Sequence, residues 1–303
     1  MNSTEIQELG AIIRKIRKEK GWRLEDLADE SISPATISNI ERGVASVKHD
    51  KVHYLLQKMN IDYQDLPHGL AAKEREFREL EFQLDHMDHL WRLGKYKEVI
   101  RRIELVHIPD NHLFAPTRYY INGKAHLLLR EFGKANKMFD TAIQLCNRNG
   151  HDKRDNIEAA TLLEKGIICY YLDRIHEALE YTERGLSAYV DGGKREHIKY
   201  VLISNKLIFL ERLDRIGEGL NYSHEVWIHT KNVIDNNILL TTYWARVELL
   251  RRANLFDSAI SYAIEGLKLA VLNKEKDHVI SLWTLLGNIY LGLRNLKKAE
   301  FYL

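Results

Sequence analysis

Small residues recur in this chain at intervals that fix its architecture before any other feature is read. Val99, Ala135, Ala178, Gly219, Ala259 and Ala299 stand 36, 43, 41, 40 and 40 residues apart. Each has the same kind of company. Gly123, Phe132, Ala135, Phe139 and Ala142 form one unit; Gly166, Ile175, Ala178 and Gly185 form the next. Leu207, Ile216 and Gly219 make a weaker third, and Val247, Phe256, Ala259 and Gly266 a fourth. An earlier unit fits Met87, Tyr96, Val99 and Ile103, with "LGKY" as its turn. Periods of this size signal supersecondary units that bury their apolar faces only by stacking. The small residues mark where neighbouring helices cross closely. Between them apolar residues recur every three or four positions, so the expected fold class is all-α.

The last unit opens with "WTLLGNIY", Trp283 to Tyr290, which is W-x₂-L-G-x₂-Y. Leu296 and Ala299 follow at the spacing its second helix requires. This resembles the tetratricopeptide repeat, with a period longer than the basic unit of about 34 residues; loops such as "DGGKRE" at 191–196 take up the excess. The resemblance implies a right-handed α-solenoid over residues 81–303, of about six repeats with the last incomplete. The sixth unit stops at Leu303 partway through its second helix, and the expectation is a fragment rather than an end that pairs with another subunit. A solenoid presents a groove lined by its first helices, suited to an extended peptide. Asn side chains can satisfy such a peptide's unpaired amides, and basic groups its carboxylates. Reading the frame across, Lys124, Tyr170, Asn205, Arg212, Trp244, Arg251 and Asn288 are the candidate peptide-binding residues, with Ile208, Glu211 and Glu248 on the same face. Asn205 and Asn288 are the expected backbone clamps, Arg251 or Arg212 the charge partner, and Tyr170 and Trp244 the apolar walls.

The first sixty residues follow another plan. Leu9, Ile12, Ile13 and Ile16 make one stripe of a helix ending near Lys20 and Gly21. A second helix is expected from Leu24 to Glu30, with Glu25 and Asp26 where the macrodipole favours acids. Ser33 can cap a third helix, Pro34 suits its first turn and Gly43 ends it. A fourth, about Asp50 to Met59, offers Val52, Leu55, Leu56 and Met59 to the same core, and Pro67 closes the segment. Two short helices around a tight turn at 31–33 make a helix-turn-helix. The stretch "LGAIIRKIRKEKGWRLEDLADESISPATISNIERG" resembles the lambda-repressor/Cro type of DNA-binding domain, departing from it in having Leu24 where a polar phosphate contact is common.

On the third helix Ile37 and Ile40 share one side; Ala35, Ser38, Asn39 and Arg42 share the other, short and able to hydrogen-bond. Such a helix fits the major groove of B-DNA. Asn39 could take an adenine edge in bidentate fashion and Ala35 a thymine methyl, while Thr36 and Ser38 contact bases or phosphates and Arg42 a phosphate or guanine. Ser33 belongs to the same DNA-facing set. The resemblance implies that Arg14, Arg23 and Lys48 lie along the phosphate backbone. The charge balance does not advertise this role, since residues 1–60 hold ten Lys/Arg against nine Asp/Glu.

The whole chain of 303 residues is likewise balanced at a formal net charge of +2, with 45% hydrophobic and 29% charged residues. These are ordinary values for a globular protein. Two cysteines, Cys146 and Cys169, suggest neither a disulfide framework nor a zinc site. No run of about 18 apolar residues occurs, so no membrane partner is expected and a cytoplasmic location fits. His86 and His89 share a helix face without a third ligand, and "GGKRE" lacks the phosphate-loop spacing. No metal, cofactor or catalytic activity is expected. Phe77, Leu80, Leu84, Met87 and Trp91 follow alternating steps of three and four, which suits either a dimer seam or internal packing.

The order of parts carries a further resemblance. A lambda-type head at 1–66, a helical linker at 67–80 and repeats at 81–303 resemble the RNPP family of bacterial quorum-sensing regulators. That resemblance implies a cytoplasmic transcription regulator and homodimer on a double-stranded DNA operator, controlled by a short linear signalling peptide held in the repeats. Two alternatives stay open: repeats that dock a response regulator, as headless members of that family do, or repeats that only dimerise a repressor.

Overall fold

The computed structural model describes residues 3–44, 49–61, 68–148, 152–230 and 235–302, and every regular element among them is helical. They divide into two compact units, residues 1–94 with 102–106 and residues 95–101 with 107–303.

In the first unit, α1 (Ser3–Glu19) and α2 (Pro34–Glu41) approach so closely that a Cβ on Gly10 would lie 2.3 Å from the Ile40 carbonyl oxygen. Only a residue without a side chain permits that crossing. Gly43 ends α2 with φ +64°, and a Cβ there would meet Gln7 Cα at 2.5 Å. The space left is filled by Leu9, Ile13, Leu27, Ile32, Ile37 and Ile40 with Leu55 and Leu56 of α3 (His49–Lys58) and Met59 just after it. Leu24 packs against this core too, which explains why it is not a polar phosphate contact.

The helix expected over Leu24–Glu30 is instead a single 3₁₀ turn, Glu25–Leu27, after which Ala28 is extended at φ −83° and ψ 152°. Asp29 is the physical reason. Its carboxylate accepts the Ser31 and Ile32 amides at 2.8 and 3.0 Å and the Tyr54 hydroxyl at 2.7 Å, and pairs with Lys58. A side chain that gathers backbone donors ahead of it competes with helix continuation. Pro67 lies outside the described residues. Helix α4 (His68–Arg92) follows as one element of 25 residues. Of the stripe at Phe77, Leu80, Leu84, Met87 and Trp91, Phe77, Leu84 and Met87 are buried within the chain and Leu80 and Trp91 half-buried, so most of it is spent on internal packing.

After α5 (Tyr96–Leu105) the second unit is a series of helical hairpins. They are α6 (Ala115–Leu128) with α7 (Phe132–Arg148), α8 (Ile157–Tyr171) with α9 (Ile175–Ala188), and α10 (His197–Arg212) with α11 (Ile216–Thr230). Then come α12 (Asn236–Arg252) with α13 (Phe256–Leu272) and α14 (Lys276–Gly292) with α15 (Leu296–Tyr302). Their first helices contact one another in order, α6 to α8, α10, α12 and α14. Each hairpin turns at a left-handed residue: Arg130, Asp173, Asp214, Asn254 and Arg294, with Gly94 in the same role before α5. These repeat at the same intervals as the small residues. The turns close alike, with the Glu131, Arg174, Arg215, Leu255 and Asn295 amides donating five residues back, from 2.8 to 2.9 Å. That bond satisfies a carbonyl the helix end leaves open. The small residues do what their spacing implies: Ala135, Ala178, Ala259 and Ala299 are buried, and a Cβ on Gly123 would strike the Phe139 ring at 2.4 Å.

A polar ladder, not foreseen from the sequence, joins the hairpins. The residues just before Gly123, Gly166, Leu207 and Val247, equivalent positions of four first helices, are Asn122, Lys165, Lys206 and Arg246. Lys165 pairs with Asp140 of the preceding hairpin and sits 5.1 Å from the Tyr181 ring of its own. Lys206 bonds Glu183 at 2.8 Å and lies 4.7 Å from Tyr222. Arg246 donates to the Ser223 carbonyl at 2.8 Å and lies 4.5 Å from both Tyr262 and Trp227. Each cation is thus partly desolvated but compensated by an acceptor behind it and a ring beside it.

Candidate nucleic-acid interface and ligand face

On the first unit, α2 divides cleanly. Ile37, Ile40 and Glu41 are buried, Ala35 and Arg42 are exposed, and Thr36, Ser38 and Asn39 are half-buried. Ser33 caps the helix by accepting the Thr36 amide at 3.2 Å and shares a 2.9 Å hydrogen bond with the Thr36 hydroxyl. Arg42 donates to Asn39 Oδ1 at 2.5 Å. An amide oxygen has two acceptor sites, so Asn39 keeps one, together with both N–H donors, for an outside partner.

Underneath, Arg17 of α1 pairs with Glu41, its Nη2 donating to Oε2 at 2.9 Å, and Arg17 Nη1 donates to the Trp22 carbonyl at 2.8 Å. The hydrogen bond to Glu41 outweighs burial and pushes the Arg17 guanidinium still higher than usual. This pair fixes how α2 sits on α1. The basic run at 14–20 therefore splits: Arg17 is internal, Lys20 donates to the Met59 carbonyl at 2.8 Å, and Arg14 and Lys18 stay exposed. Arg23 is exposed with its backbone amide on Asp26 at 2.7 Å. Lys48 lies outside the described residues. Arg17 and Glu41 were the functional support that the sequence did not disclose, because 24 residues separate them.

On the second unit the expected ligand residues lie on the first helices in different states. Tyr170 and Arg212 are brought together: the Arg212 Nη2 donates to the Tyr170 hydroxyl at 3.2 Å, and its guanidinium lies 5.6 Å from the ring. That hydrogen bond pushes the Arg212 guanidinium up. Arg251 is not an open charge; it donates to both Glu248 oxygens at 2.8 and 2.6 Å. Lys124 is buried, its Nζ 5.2 Å from the Tyr120 ring. Trp244 is half-buried against the cores on both sides of α12. Asn205 and Asn288 are half-buried, and neither side chain hydrogen-bonds another described residue.

Two groups were missed. Arg252 donates to the Glu211 carbonyl and to Glu211 Oε1, both at 2.6 Å, and to Asp214 at 2.8 Å, so the acid expected on this face is already paired. Glu164 of α8 occupies the place in its hairpin that Asn205 has in the next, 41 residues on. Burial pushes its carboxyl up to about 7, opposed only by the charge of Lys124. The period could have revealed Glu164, since a step from Asn205 to the preceding unit lands on it.

Among the described residues no helix is long and apolar enough to cross a membrane, and no three His, Cys, Asp or Glu come together as metal ligands. Residues 13–66 match a family model described as helix-turn-helix, in agreement with the fold of that segment. No curated protein matches the chain. Solved structures similar to it include PlcR of Bacillus thuringiensis in complex with the peptide PapR7 and DNA, at 13% identity and a TM-score of 0.42, over 98% of this chain and 94% of that one. The SHP pheromone receptor Rgg2 of Streptococcus dysgalactiae has 14% identity and a TM-score of 0.43, over 90% and 97%. The apo form of ComR from S. thermophilus has 14% identity and a TM-score of 0.38, over 88% and 94%.

Proposed function

We propose that this chain is a cytoplasmic transcription regulator of the RNPP kind, in which a head at residues 1–66 reads DNA and repeats at 81–303, reached through 67–80, hold a short linear peptide. The observation that carries the reading is the arrangement of α2. One face is locked to α1 through Gly10 and the Arg17–Glu41 pair, and the other offers Ala35, Thr36, Ser38, Asn39 and Arg42. A helix enters the major groove with short side chains at its exposed N-terminal half, and Asn39 has the donor and acceptor an adenine edge requires. Arg42 steadies that amide, so it positions Asn39 besides meeting the backbone itself. Arg14 and Arg23 supply sequence-independent phosphate contacts. Two such heads on a two-fold axis would read half-sites a whole number of helical turns apart, which makes the working form a homodimer. On the repeats, Asn205 of α10 and Asn288 of α14 offer unspent amides to a peptide backbone, with the Tyr170–Arg212 pair and Trp244 of α12 on the same series of first helices.

The test begins with an operator selected from randomised duplexes by the full chain. Asn39→Ala is expected to cost about 1–3 kcal/mol and to relax selection at one adenine. Arg23→Ala is expected to weaken all sequences alike and flatten the salt dependence. An unchanged specific-to-nonspecific ratio in Asn39→Ala removes the base-reading role.

A further inference from the structure

Several charged groups of the first helices are already engaged within the chain. Arg251 is closed by Glu248, Arg252 by Glu211 and Asp214, and Arg212 leans on Tyr170. Glu164 is different. It is half-buried, and its carboxyl neither hydrogen-bonds nor ion-pairs with any described residue. Lys124 of α6 is the one charged group that acts on it among the described residues, and at the corresponding place α10 presents the neutral Asn205. A carboxyl so placed has two ways to remain: it keeps its proton, or it receives a cation from outside.

We propose that Glu164 is the subsite for a positively charged nitrogen of the bound peptide, either its N-terminal ammonium or a Lys or Arg side chain. The inference rests on the peptide-binding reading above and adds the charge of the ligand to it. Glu164 lies one hairpin before Asn205, so a chain clamped at Asn205 and running toward α8 brings its next polar group to this carboxylate. The bond is an N⁺–H donated to a carboxylate oxygen, stronger than a neutral hydrogen bond and stronger again where water is sparse. Burial holds the empty site largely protonated below pH 7. Binding there must therefore expel the carboxyl proton to solvent as the cation arrives.

The probes are two synthetic pools of randomised seven-residue peptides, one with free amino termini and one acetylated, offered to the full chain and read by mass spectrometry of what is retained. Wild type is expected to retain peptides carrying a cationic nitrogen. Retention confined to the free pool identifies the terminal ammonium, and retention of Lys- or Arg-bearing acetylated peptides identifies a side chain. Glu164→Gln, which keeps the shape and hydrogen-bonding capacity, should weaken these peptides roughly 10- to 100-fold. Calorimetry of wild type at pH 6 in two buffers of different ionisation heat should show close to one proton released, a readout that needs no variant. Peptides retained without bias toward cationic nitrogen, affinity unchanged in Glu164→Gln, or no proton release would overturn the subsite while leaving the peptide-binding face standing. If wild type retains nothing from either pool, the peptide-binding reading falls and the subsite with it.

Discussion

Two carboxylates, Asp29 in the head and Glu164 in the repeats, are displaced in opposite directions. Asp29 gathers Lys58, Tyr54 and two backbone amides, and these donors hold it well below the usual carboxylate range. Glu164 has burial and, among the described residues, no donor, only the more distant charge of Lys124, and its carboxyl rises to about 7. The first is a finished piece of structure that closes the turn ahead of α2 and ties it to α3. The second is an unfinished contact among first helices on which several charged groups are already engaged. The same residue chemistry thus separates what holds the fold from what awaits a partner, and perturbed groups of the second kind mark functional sites.

The largest effect expected from this contrast is at the head's buried pair. Glu41→Ala leaves the Arg17 guanidinium, 11% exposed, without its partner. Breaking a buried pair from one side costs about 3–5 kcal/mol, because the remaining charge is stranded. Hydrogen exchange should show residues 3–61 losing protection while the hairpins from α6 onward keep theirs. Equal loss in both would mean the units do not unfold separately.

Next in size is the unfinished contact. A carboxyl raised to about 7 binds a proton in the folded state that the unfolded chain has released, so between the ordinary value of 4.5 and 7 stability falls as pH rises. Glu164→Gln removes that cost. It is expected to stabilise the repeats by about 1–3 kcal/mol at pH 8 and by nothing at pH 4, in denaturant titrations of the ligand-free chain. A variant less stable than wild type at pH 8 would show that the carboxylate is already compensated.

Much of this could be read from the sequence, and the part that could not has a common cause. The spacing of Val99 through Ala299 located each hairpin crossing, because close helix approach demands small residues there, and the left-handed turns fall at the same intervals. Ser33, Pro34 and Gly43 marked the ends of α2 by local chemistry alone. What stayed hidden is tertiary: the Arg17–Glu41 pair spans 24 residues, and the Asp29 carboxylate that turns the chain on the nearby Ser31 and Ile32 amides is anchored by donors 25 and 29 residues away. The expected ligand residues were legible as positions but not as states. Periodicity put Arg251 on a first helix without showing that Glu248 already holds it.

A smaller effect is expected in the ladder. Lys165→Met keeps the apolar stem and its packing beside Tyr181, and it leaves Asp140, 57% exposed, to water rather than stranded. Replacing a partly buried ion by an apolar group of like size is often neutral, so the change should lie within about 1 kcal/mol in either direction by thermal melting. A loss as large as that of Glu41→Ala would mean the repeated joints are as unforgiving as the single joint of the head.

The smallest effect is expected at Asp29, whose carboxylate faces solvent and whose pairings are correspondingly screened. Its sign is nevertheless opposite to that of Glu164. The folded-state value is depressed, so the stabilisation is fully present above the unfolded value of 3.8 and is lost as pH falls below it. Asp29→Asn should therefore make the head less stable than wild type at pH 7 and erase part of its decline on acidification. The side chain would still accept the Ser31 and Ile32 amides, so the turn itself should persist and the loss be confined to the Lys58 and Tyr54 contacts. Melts of the isolated first unit are not required. Hydrogen exchange of the full chain at pH 2.5 and pH 7, one below and one above the unfolded value of 3.8, resolves the Ile37 and Leu55 amides from those of the hairpins. A difference between Asp29→Asn and wild type that is the same at both pH values would show that the Lys58 and Tyr54 contacts draw no stability from the carboxylate's charge.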